Sequence, residues 1–346
     1  MGYRTVVVGT DGSETATRAV RTAARFARKV DGRVILVSAS GPIGFTDREA
    51  DAVLAAGAEA VRRDGVEAET VRREGDPDDV ITRAAQEHDA DLIVVGNVGM
   101  DRAGRLRRGG VPERVAIGAP SDVLVVNTRA PREPDLPDPL YRRILVGTDG
   151  SPTAQEAARK AFDLGMMLGI GVTVCYVAGD RLLGAIALEE AKKGKPRGLG
   201  VHTRLVEGDP AEQITALAEQ EDLDLIVVGN KGLAGARRVL LGSVPSEVAA
   251  RAPTDVLIAK TVDRTVEDLA PGHGGIVAVD GRRLAVFKAE DGSLNVLNPK
   301  CQHMGCTVDW NDAERTWDCP CHGSRYRHDG AVFQGPATKD LDTESL

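Results

Sequence analysis

Aromatic residues and long apolar segments are both scarce in this chain of 346 residues. Aromatic side chains make up 3% of the sequence, so the core must be built mainly from Val, Ile, Leu and Ala. No segment approaches the roughly 18 consecutive apolar residues that a membrane-spanning helix needs. The first residues do not have the pattern of a signal peptide. We therefore expect a soluble, cytoplasmic protein without a membrane span.

Positive charge is not in excess either. The chain has 44 Lys and Arg against 52 Asp and Glu, which gives a net charge of −8. This balance argues against general nucleic-acid binding and against docking on an anionic membrane. The length favours two or three domains rather than one.

Four sequence blocks occur twice in the first 262 residues, which predicts one domain copied in tandem. The paired blocks begin at Val6 and Ile144, Glu74 and Glu207, Leu92 and Leu225, and Ala119 and Ala252. The offset is 138 residues for the first pair and 133 for the others. We call residues 1–129 copy 1 and residues 141–262 copy 2. The Pro-rich stretch 130–140 is predicted to be a stiff linker, and residues 263–346 form a tail of different character.

Each copy alternates short apolar runs with helical patterns. The runs predicted as strands in copy 1 are Thr5–Gly9, Val34–Val37, Glu67–Arg72, Leu92–Val95 and Val123–Val126. The predicted helices are Ala16–Val30 and Asp79–His88, with Ser13 and Ser151 as N-caps, and Pro245–Ala250 in copy 2. Continuous Val, Ile and Leu suit parallel strands that are covered on both faces. The fold class is therefore a duplicated α/β doubly wound parallel sheet of five strands.

Copy 2 carries a glycine pattern typical of nucleotide binding. Gly229 and Gly232 follow a predicted strand, and Gly242 and Ser243 precede a predicted helix. Glycines let backbone N–H groups approach phosphate oxygens, and a helix N-terminus favours negative charge. Asp149 follows the first strand of copy 2, where its carboxylate could reach a ribose or an adenine edge.

This pattern resembles the ATP-binding branch of the universal stress protein family, across about residues 1–262. The resemblance implies a flavodoxin-like sheet in each copy, with ATP, AMP or ADP as ligand. It also implies that two such domains pair through their last strands, here within one chain. The nucleotide contacts that it implies are Asp149, Val177, Gly229, Gly232, Gly242, Ser243 and Val244.

Copy 1 keeps only part of the pattern. Its weaker candidate site consists of Asp11, Gly96, Gly99, Gly109 and Gly110. Gly110 replaces the hydroxyl residue of copy 2, and Val98 stands where copy 2 has Lys231. Nucleotide binding is expected in copy 2, and binding in copy 1 stays open. The alternative for both copies is that these glycines only shape tight turns.

The tail combines Gly-rich turns with short apolar runs, which predicts a small all-β domain. Four of the five cysteines in the chain lie here, in Cys301-Gln302-His303-Met304-Gly305-Cys306 and in Cys319-Pro320-Cys321-His322-Gly323-Ser324. Two thiolates can hold one iron and two imidazoles a second, which is the ligand set of a Rieske [2Fe–2S] centre. Structural zinc is the competing interpretation, because two Cys and two His also suit tetrahedral zinc.

The tail resembles Rieske domains of the disulfide-bearing, cytochrome bc type over about residues 266–341. The resemblance implies that Cys301, His303, Cys319 and His322 bind the cluster, and that Cys306 and Cys321 form a disulfide. It places Ser324, Tyr326, Gly335 and Pro336 around the cluster. Ser324 would donate to a bridging sulfide and Tyr326 to a cysteine sulfur. We therefore predict a reduction potential in the upper part of the range of Rieske centres, and that whole range runs from about −150 to +300 mV.

The function predicted from these motifs is one-electron transfer between redox partner proteins, with ATP binding in a regulatory or assembly role. The partner would be a dehydrogenase, a hydrogenase or a quinone-linked oxidoreductase. The alternative is a redox or stress sensor in which the state of the cluster alters nucleotide binding. An oxygenase is disfavoured because too few histidines remain for a mononuclear iron site. ATP hydrolysis has no evident general base beside Ser243. The chain alone is not expected to be an enzyme, and a homo-oligomer is left open.

Overall fold

The computed structural model describes most of the chain, as two compact units, Met1–Thr261 and Val262–Leu346. The described residues are 3–41, 45–97, 110–127, 140–177, 179–192, 195–230, 241–260, 265–279, 282–303, 308–311, 314–319 and 323–346. The predicted linker lies almost wholly outside them. Among these residues, no helix is both long enough and apolar enough to cross a membrane.

Strands and helices alternate in both copies of the first unit. Copy 1 contains β1 (Thr5–Gly9), α1 (Glu14–Lys29), β2 (Arg33–Ser40), α2 (Asp47–Arg63), β3 (Glu67–Glu74), α3 (Pro77–Glu87), β4 (Leu92–Gly96), α4 (Val111–Gly118) and β5 (Asp122–Val126). Copy 2 contains β6 (Ile144–Thr148), α5 (Pro152–Leu168), β7 (Val172–Val177), α6 (Arg181–Lys192), β8 (Val201–Val206), α7 (Pro210–Gln220), β9 (Leu225–Gly229), α8 (Ser243–Arg251) and β10 (Asp255–Ala259).

Within the described residues, these ten strands form one sheet in the order β3-β2-β1-β4-β5-β10-β9-β6-β7-β8. Neighbouring strands inside each copy are parallel, which confirms the predicted doubly wound class. The copies meet where β5 and β10 pair antiparallel, with Val125 opposite Val256 and Val123 opposite Ile258. The last strands therefore pair within one chain, as the resemblance implies, and β3 and β8 are left as the edges.

The apolar runs form this sheet because both of its faces are covered by helices. One layer of buried side chains includes Val6, Phe26 and Leu92, and the opposite layer includes Val7 and Ile93. Alternate residues of the inner strands thus enter different cores, which is why these strands read as uninterrupted apolar runs.

The local signals at helix starts are confirmed for α1 and α5. Ser13 Oγ accepts the Ala16 amide at 3.2 Å, and Ser151 Oγ accepts the Ala154 amide at the same distance. The helix α2 was not predicted, although Thr46 and Glu49 form a capping box at its start. The helix packs against β2 and β3.

Buried polar groups hold the two copies together beside the β5–β10 seam. Asp122 accepts hydrogen bonds from Tyr3 Oη at 2.8 Å, from Lys160 Nζ at 2.6 Å and from the Lys260 amide at 2.8 Å. All four residues are at least nine-tenths buried. Burial and the carboxylate of Asp122 raise the pKa of Tyr3 well above its usual range, so Tyr3 stays a donor.

The other side of the seam repeats this arrangement around Asp255. Tyr141 Oη donates to Asp255 at 2.8 Å, and the Asn127 amide donates to the same carboxylate at 2.9 Å. Tyr141 and Asp255 correspond to Tyr3 and Asp122 by the offsets of the repeat. Each copy therefore supplies a carboxylate that binds a backbone amide of the other copy.

The second unit contains short antiparallel strands, as predicted. They are β11 (His273–Val279), β12 (Arg282–Lys288), β13 (Leu294–Leu297), β14 (Asp309–Asn311), β15 (Thr316–Asp318), β16 (Arg325–Arg327) and β17 (Val332–Gln334). In the described part of the unit, β11–β13 form one sheet and β14–β17 another. Trp317, Tyr326 and Leu297 share one core with Cys301 and Cys319.

Candidate functional sites

The structure brings Cys301 and Cys319 together in the core of the second unit. Cys301 lies between β13 and β14, and Cys319 directly follows β15. Both side chains are buried and neither forms a disulfide. The pKa of the Cys301 thiol is lowered to about 4, chiefly by a hydrogen bond from the Cys319 thiol, while burial opposes the shift. A thiolate at this position is the form that binds metal.

The Tyr326 side chain contacts the Cys301 thiol. Its hydroxyl lies 3.0 Å from Cys301 Sγ and accepts the Gln302 amide at 3.0 Å. Burial, then the neighbouring thiol, raises the pKa of the Tyr326 hydroxyl above its ordinary value. The phenol therefore keeps its proton and points it at the sulfur, because the backbone amide already occupies its acceptor side.

Ser324 closes the second ligand loop. The Cys319 amide donates to the Ser324 carbonyl at 2.7 Å, which holds the turn between β15 and β16. Ser324 is fully buried, its Oγ accepts the Ala337 amide at 3.0 Å, and a bond to Cys301 lowers the pKa of that thiol further. Ala337 follows Gly335 and Pro336, so the predicted covering loop is attached to the turn through Ser324.

The C-terminal segment supports the first ligand loop, which sequence reasoning missed. The Asn298 amide donates to the Asp342 carbonyl at 2.8 Å, and Gln302 Nε2 donates to the Asp342 carboxylate at 3.1 Å. Asx-type contacts such as that of Asn298 Oδ1 with the Lys300 amide also shape this loop. These contacts could not be predicted from the sequence, because the residues that they join, such as Gln302 and Asp342, are about 40 positions apart.

The donor set that the structure describes fits one side of a two-iron centre. His303 is exposed, and its backbone amide donates to Cys301. Among the residues that the structure describes, no three metal-ligating side chains converge on one point. The predicted ligand His322 and the predicted disulfide cysteines, Cys306 and Cys321, lie outside the described residues. Two adjacent thiols suit the thiolate-bound iron of a Rieske centre, because its imidazoles bind the other iron.

In the first unit, the loops after β1 and β6 hold the predicted carboxylates in the same way. Asp149 Oδ1 accepts the Ser151 amide at 3.0 Å, and Asp11 Oδ1 accepts the Ser13 amide at 2.9 Å. Gly150 adopts φ +80° between Asp149 and Ser151, a conformation that favours glycine. The same hydrogen bond is present in both copies, so this loop alone does not distinguish them.

The helix starts predicted to bind phosphate have no side-chain cap. Gly242 is the N-cap of α8 and Gly110 the N-cap of α4, and neither helix has a side-chain capping bond. Ser243 is the exposed first residue of α8, followed by the half-buried Val244. Amide groups at an uncapped helix start suit an anion. Gly110 corresponds to Ser243 by the 133-residue offset, so α4 begins one residue later and without a hydroxyl.

Two of the predicted nucleotide glycines have a packing role. A Cβ on Gly229 would lie 2.9 Å from the Thr153 carbonyl oxygen, and a Cβ on Gly96 would lie 2.9 Å from Thr15 Oγ1. These glycines let β4 and β9 approach the starts of α1 and α5. Their presence in both copies is therefore explained by close packing. Gly99, Gly109 and Gly232 lie outside the described residues, and Val177 ends β7 half-buried.

A cavity of about 600 Å³ lies at the opposite, amino ends of the copy 2 strands. Arg143, His202 and Arg204 line it together with Glu221 and Asp222. Arg143 bonds Asp222 at 2.5 Å and Arg204 bonds Glu221 at 2.6 Å, so most of its charge is already paired. It is not the predicted nucleotide site, which lies at the carboxyl ends of the strands.

The paired five-stranded sheets and the two-thiol loops define a protein that joins a duplicated α/β fold to a small iron–sulfur type β domain. The model of the universal stress protein family matches residues 2–127, 140–195 and 180–260. The chain belongs to the universal stress protein family. The model of the Rieske [2Fe-2S] domain matches residues 259–344. The tail is a Rieske domain, which implies a [2Fe–2S] cluster.

Individual relatives match one part of the chain each. A Bacillus subtilis protein named as a Rieske 2Fe-2S iron–sulfur protein is 51% identical over 79 residues, 23% of this chain and 16% of its own length. A universal stress protein of Methanocaldococcus jannaschii is 35% identical over 141 residues, 35% of this chain and 83% of its own length. The cytochrome b6-f complex iron–sulfur subunit 1 of Synechocystis is 45% identical over 75 residues, 21% of this chain and 42% of its own length.

Solved structures resemble the first unit in fold. A universal stress protein from Archaeoglobus fulgidus aligns with a TM-score of 0.62 and 22% identity, over 75% of this chain and 99% of its own. A Pseudomonas aeruginosa protein aligns with a TM-score of 0.56 and 18% identity, over 75% of this chain and 93% of its own. Both cover a share of the chain close to that of the two copies together.

Proposed function

We propose that this protein carries one electron between redox partner proteins, through a cluster held by Cys301, His303, Cys319 and His322. The observation that supports this most directly is the buried pair of thiols, Cys301 and Cys319, with the Tyr326 hydroxyl 3.0 Å from Cys301 Sγ. When bound, a [2Fe–2S] centre of this type accepts and releases one electron.

The residues around the thiols set how readily that electron is accepted. Tyr326 and Ser324 direct hydroxyl groups at Cys301. Hydrogen bonds to the sulfur favour the more negative, reduced state and therefore raise the reduction potential. The burial of both donors keeps water from replacing them. This supports a potential in the upper part of the Rieske range.

The partner is proposed to be a dehydrogenase, a hydrogenase or a quinone-linked oxidoreductase. Relatives of the tail include proteins named as iron–sulfur subunits of the cytochrome b6-f complex. The chain spans less than half of the length of those relatives. The one-electron chemistry of the tail supports a redox partner of this kind. The predicted cytoplasmic location remains a prediction.

The stress-protein copies are proposed to bind ATP in copy 2 and to regulate docking or assembly. Asp149 at the end of β6 and the uncapped start of α8 at Gly242 support a nucleotide at the carboxyl ends of the strands. The proposed contacts also include Val177, Gly229, Gly232, Ser243 and Val244.

Electron paramagnetic resonance of the anaerobically prepared, dithionite-reduced protein tests the carrier proposal, together with a potentiometric titration. We expect the low mean g value of mixed sulfur and nitrogen ligation. Tyr326→Phe should lower the reduction potential, whereas Tyr3→Phe, a matched loss of a buried hydroxyl in the first unit, should leave it unchanged. A mean g value typical of four thiolates, or metal-loaded protein without acid-labile sulfide, would overturn the proposal.

A sensor makes a different prediction from a carrier. If the state of the cluster controls nucleotide binding, the affinity for ATP must differ between the oxidised and the reduced protein. Calorimetric titration of ATP into both forms decides this. Equal affinities would remove the sensor and leave the carrier.

A further inference from the structure

The cavity at the amino ends of the copy 2 strands has no role in the proposed function. Its volume of about 600 Å³ is within the usual range for sites that bind small molecules. It lies between the starts of β6, β7 and β8 and the turn that follows α7. Arg142, Thr173, His202 and Leu223 are among the residues that line it, and we call it the amino-end cavity.

The lining of the amino-end cavity carries more positive than negative charge. Among the described residues, three arginines and two carboxylates line it, namely Arg142, Arg143, Arg204, Glu221 and Asp222. Arg143 Nη2 donates to Asp222 at 2.5 Å, and Arg204 Nε donates to Glu221 at 2.6 Å. Since these two pairs use both carboxylates, the positive charge of Arg142 is not balanced by an acidic residue of the lining.

Arg142 is the cation that remains for a ligand. Its side chain is exposed, and its guanidinium forms no hydrogen bond or ion pair with the residues that the structure describes. The nearby Asp224 carboxylate accepts the backbone amides of Arg142 and Arg143, each at 2.9 Å. His202 is also exposed, and its ring has no such partner in the described part of the chain. A guanidinium can donate two parallel hydrogen bonds to a carboxylate or a phosphate.

A buried hydroxyl forms part of the cavity wall. Thr173, the second residue of β7, is only 7% exposed. Within the described residues, no hydrogen-bond partner of its Oγ1 is found. Because an unsatisfied buried hydroxyl costs about 1–3 kcal/mol, such a group normally has a partner. Thr173 lines the amino-end cavity, so a molecule inside the cavity can be that partner.

Copy 1 shows that the fold does not require this hydroxyl. Ile35 stands in β2 where β7 has Thr173, and it is fully buried in the core. The residue two positions earlier differs as well, since copy 1 has Arg33 where copy 2 has Gly171. Copy 2 therefore combines a polar group with the loss of a long side chain at the start of the same strand.

The charge at this place also differs between the copies. His202 of β8 corresponds to Glu69 of β3 by the 133-residue offset. In copy 1 the Glu69 carboxylate lies 3.7 Å from Arg33 and 3.9 Å from His88. A carboxylate at this position would repel an anion. The features that suit an anion are therefore found in copy 2 and not at the matching place in copy 1.

We propose that the amino-end cavity binds a small molecule through an oxyanion group, either a carboxylate or a phosphate. Arg142 donates to two oxygens of this group, and the Thr173 hydroxyl donates to one of them. The His202 ring supplies a further nitrogen for hydrogen bonding. Ile144 and Leu223, which also line the cavity, contact the apolar part of the ligand. The proposal does not depend on the cluster or on a nucleotide at the opposite ends of the strands.

Nuclear magnetic resonance of the full chain with ¹³C-labelled histidine tests the proposal at the site itself. The chain has six histidines, so the His202 and His88 signals can be assigned with His202→Gln and His88→Gln. At constant pH and ionic strength, inorganic phosphate or succinate should shift the His202 signal with saturation. His88 stands at the matching place in copy 1 and should not respond. No saturation with either probe, or equal shifts of both histidines, would overturn the proposal.

Two substitutions test the residues that hold the anion. Thr173→Val keeps the shape of the side chain and removes one hydrogen bond to a charged group, so it should weaken binding of the better probe about tenfold. Arg142→Gln should weaken it at least as much. The matched control is Arg4→Gln, at the corresponding position of copy 1, which should leave the titration of His202 unchanged. Thermal midpoints close to the wild-type value check that the variants are folded, and unchanged affinity in both cavity variants would contradict the site.

Discussion

Copies 1 and 2 of the stress-protein fold share the same framework. They differ in residues at the predicted nucleotide site and on two helices. The loops at Asp11 and Asp149, and the carboxylates Asp122 and Asp255 at the seam, recur in both. The differences lie at the start of the last helix, on the helix after the second strand, and on the first helix, where copy 2 has Lys160. The repeated residues maintain the fold, whereas the residues that differ give each copy its own chemistry.

The largest expected effect comes from Lys160, which the 138-residue offset aligns with Thr22 of copy 1. Lys160 Nζ binds Asp122 Oδ1 at 2.6 Å and the Lys260 carbonyl at 2.7 Å in the buried seam. Lys160→Met leaves a buried carboxylate without its cation and should lower the free energy of unfolding by about 3 kcal/mol. Urea denaturation followed by circular dichroism measures this. Lys160→Met/Asp122→Asn should recover part of the loss, and an unaltered single variant would contradict the role of the pair.

The second effect concerns the Ser243 hydroxyl of copy 2, which we propose contacts the nucleotide and which Gly110 replaces in copy 1. Ser243→Gly, which gives copy 2 the residue that copy 1 has at Gly110, should weaken ATP binding about tenfold through loss of one hydrogen bond to a charged group. Gly110→Ser is the reciprocal variant and should strengthen any binding to copy 1. Isothermal titration calorimetry gives the affinity and the number of sites. Unchanged affinity in both variants would show that this hydroxyl does not separate the copies.

A third, smaller effect concerns a hydrogen bond between the first turns of α4 and α8. Ser246 Oγ donates to Glu113 Oε1 at 2.8 Å, and the two positions correspond by the 133-residue offset. Ser246→Ala should cost about 1 kcal/mol of unfolding free energy. Glu113→Gln keeps an acceptor and should cost less. The thermal midpoint reports both, and an equal loss in the two variants would argue against this contact.

The smallest effect at neutral pH is expected at Cys175, which stands in β7 where copy 1 has Val37 in β2. Burial raises the pKa of the Cys175 thiol to about 12. Cys175 should therefore resist alkylation at pH 8 in the native protein, and Cys175→Val should change the stability by less than about 1 kcal/mol at pH 7.

The raised pKa of Cys175 also fixes the sign of a pH effect. The folded thiol keeps its proton above the pKa of the unfolded thiol, so the unfolded state loses a proton first. Stability should fall as the pH rises from about 9 towards 12, by up to about 1.4 kcal/mol per pH unit from this group. Comparison of wild type with Cys175→Val isolates that slope. Equal slopes in the two proteins would contradict the buried, neutral thiol.

The repeat and the fold could be predicted from sequence because the short apolar runs recur in both copies with similar residues and regular spacing. Predicted strand ends fell short where pairing extends the strand, as in β2, which continues to Ser40 opposite Glu74. The tail motif likewise predicted that Cys301 and Cys319 would meet. Only twelve residues separate its two cysteine-containing segments, so the two ligand loops must lie close together.

Contacts between distant residues could not be predicted. The seam joins Tyr3 to Asp122 across 119 positions, and no local pattern indicates that pairing. One usable signal was present, since tyrosine recurs at Tyr141 and aspartate at Asp255 with the offsets of the repeat. The packing role of Gly96 and Gly229 was equally invisible, because it depends on how near another helix comes.

The antiparallel junction of β5 with β10 has an evolutionary consequence. In a symmetric dimer of separate chains, each mutation alters both halves at once, so a change that helps one binding pocket is forced upon its twin. When the halves are encoded in series, a substitution is inherited by one of them only. A tandem gene can thus lose a ligand in its first half and refine it in its second, while the single chain keeps both halves at a fixed one-to-one ratio.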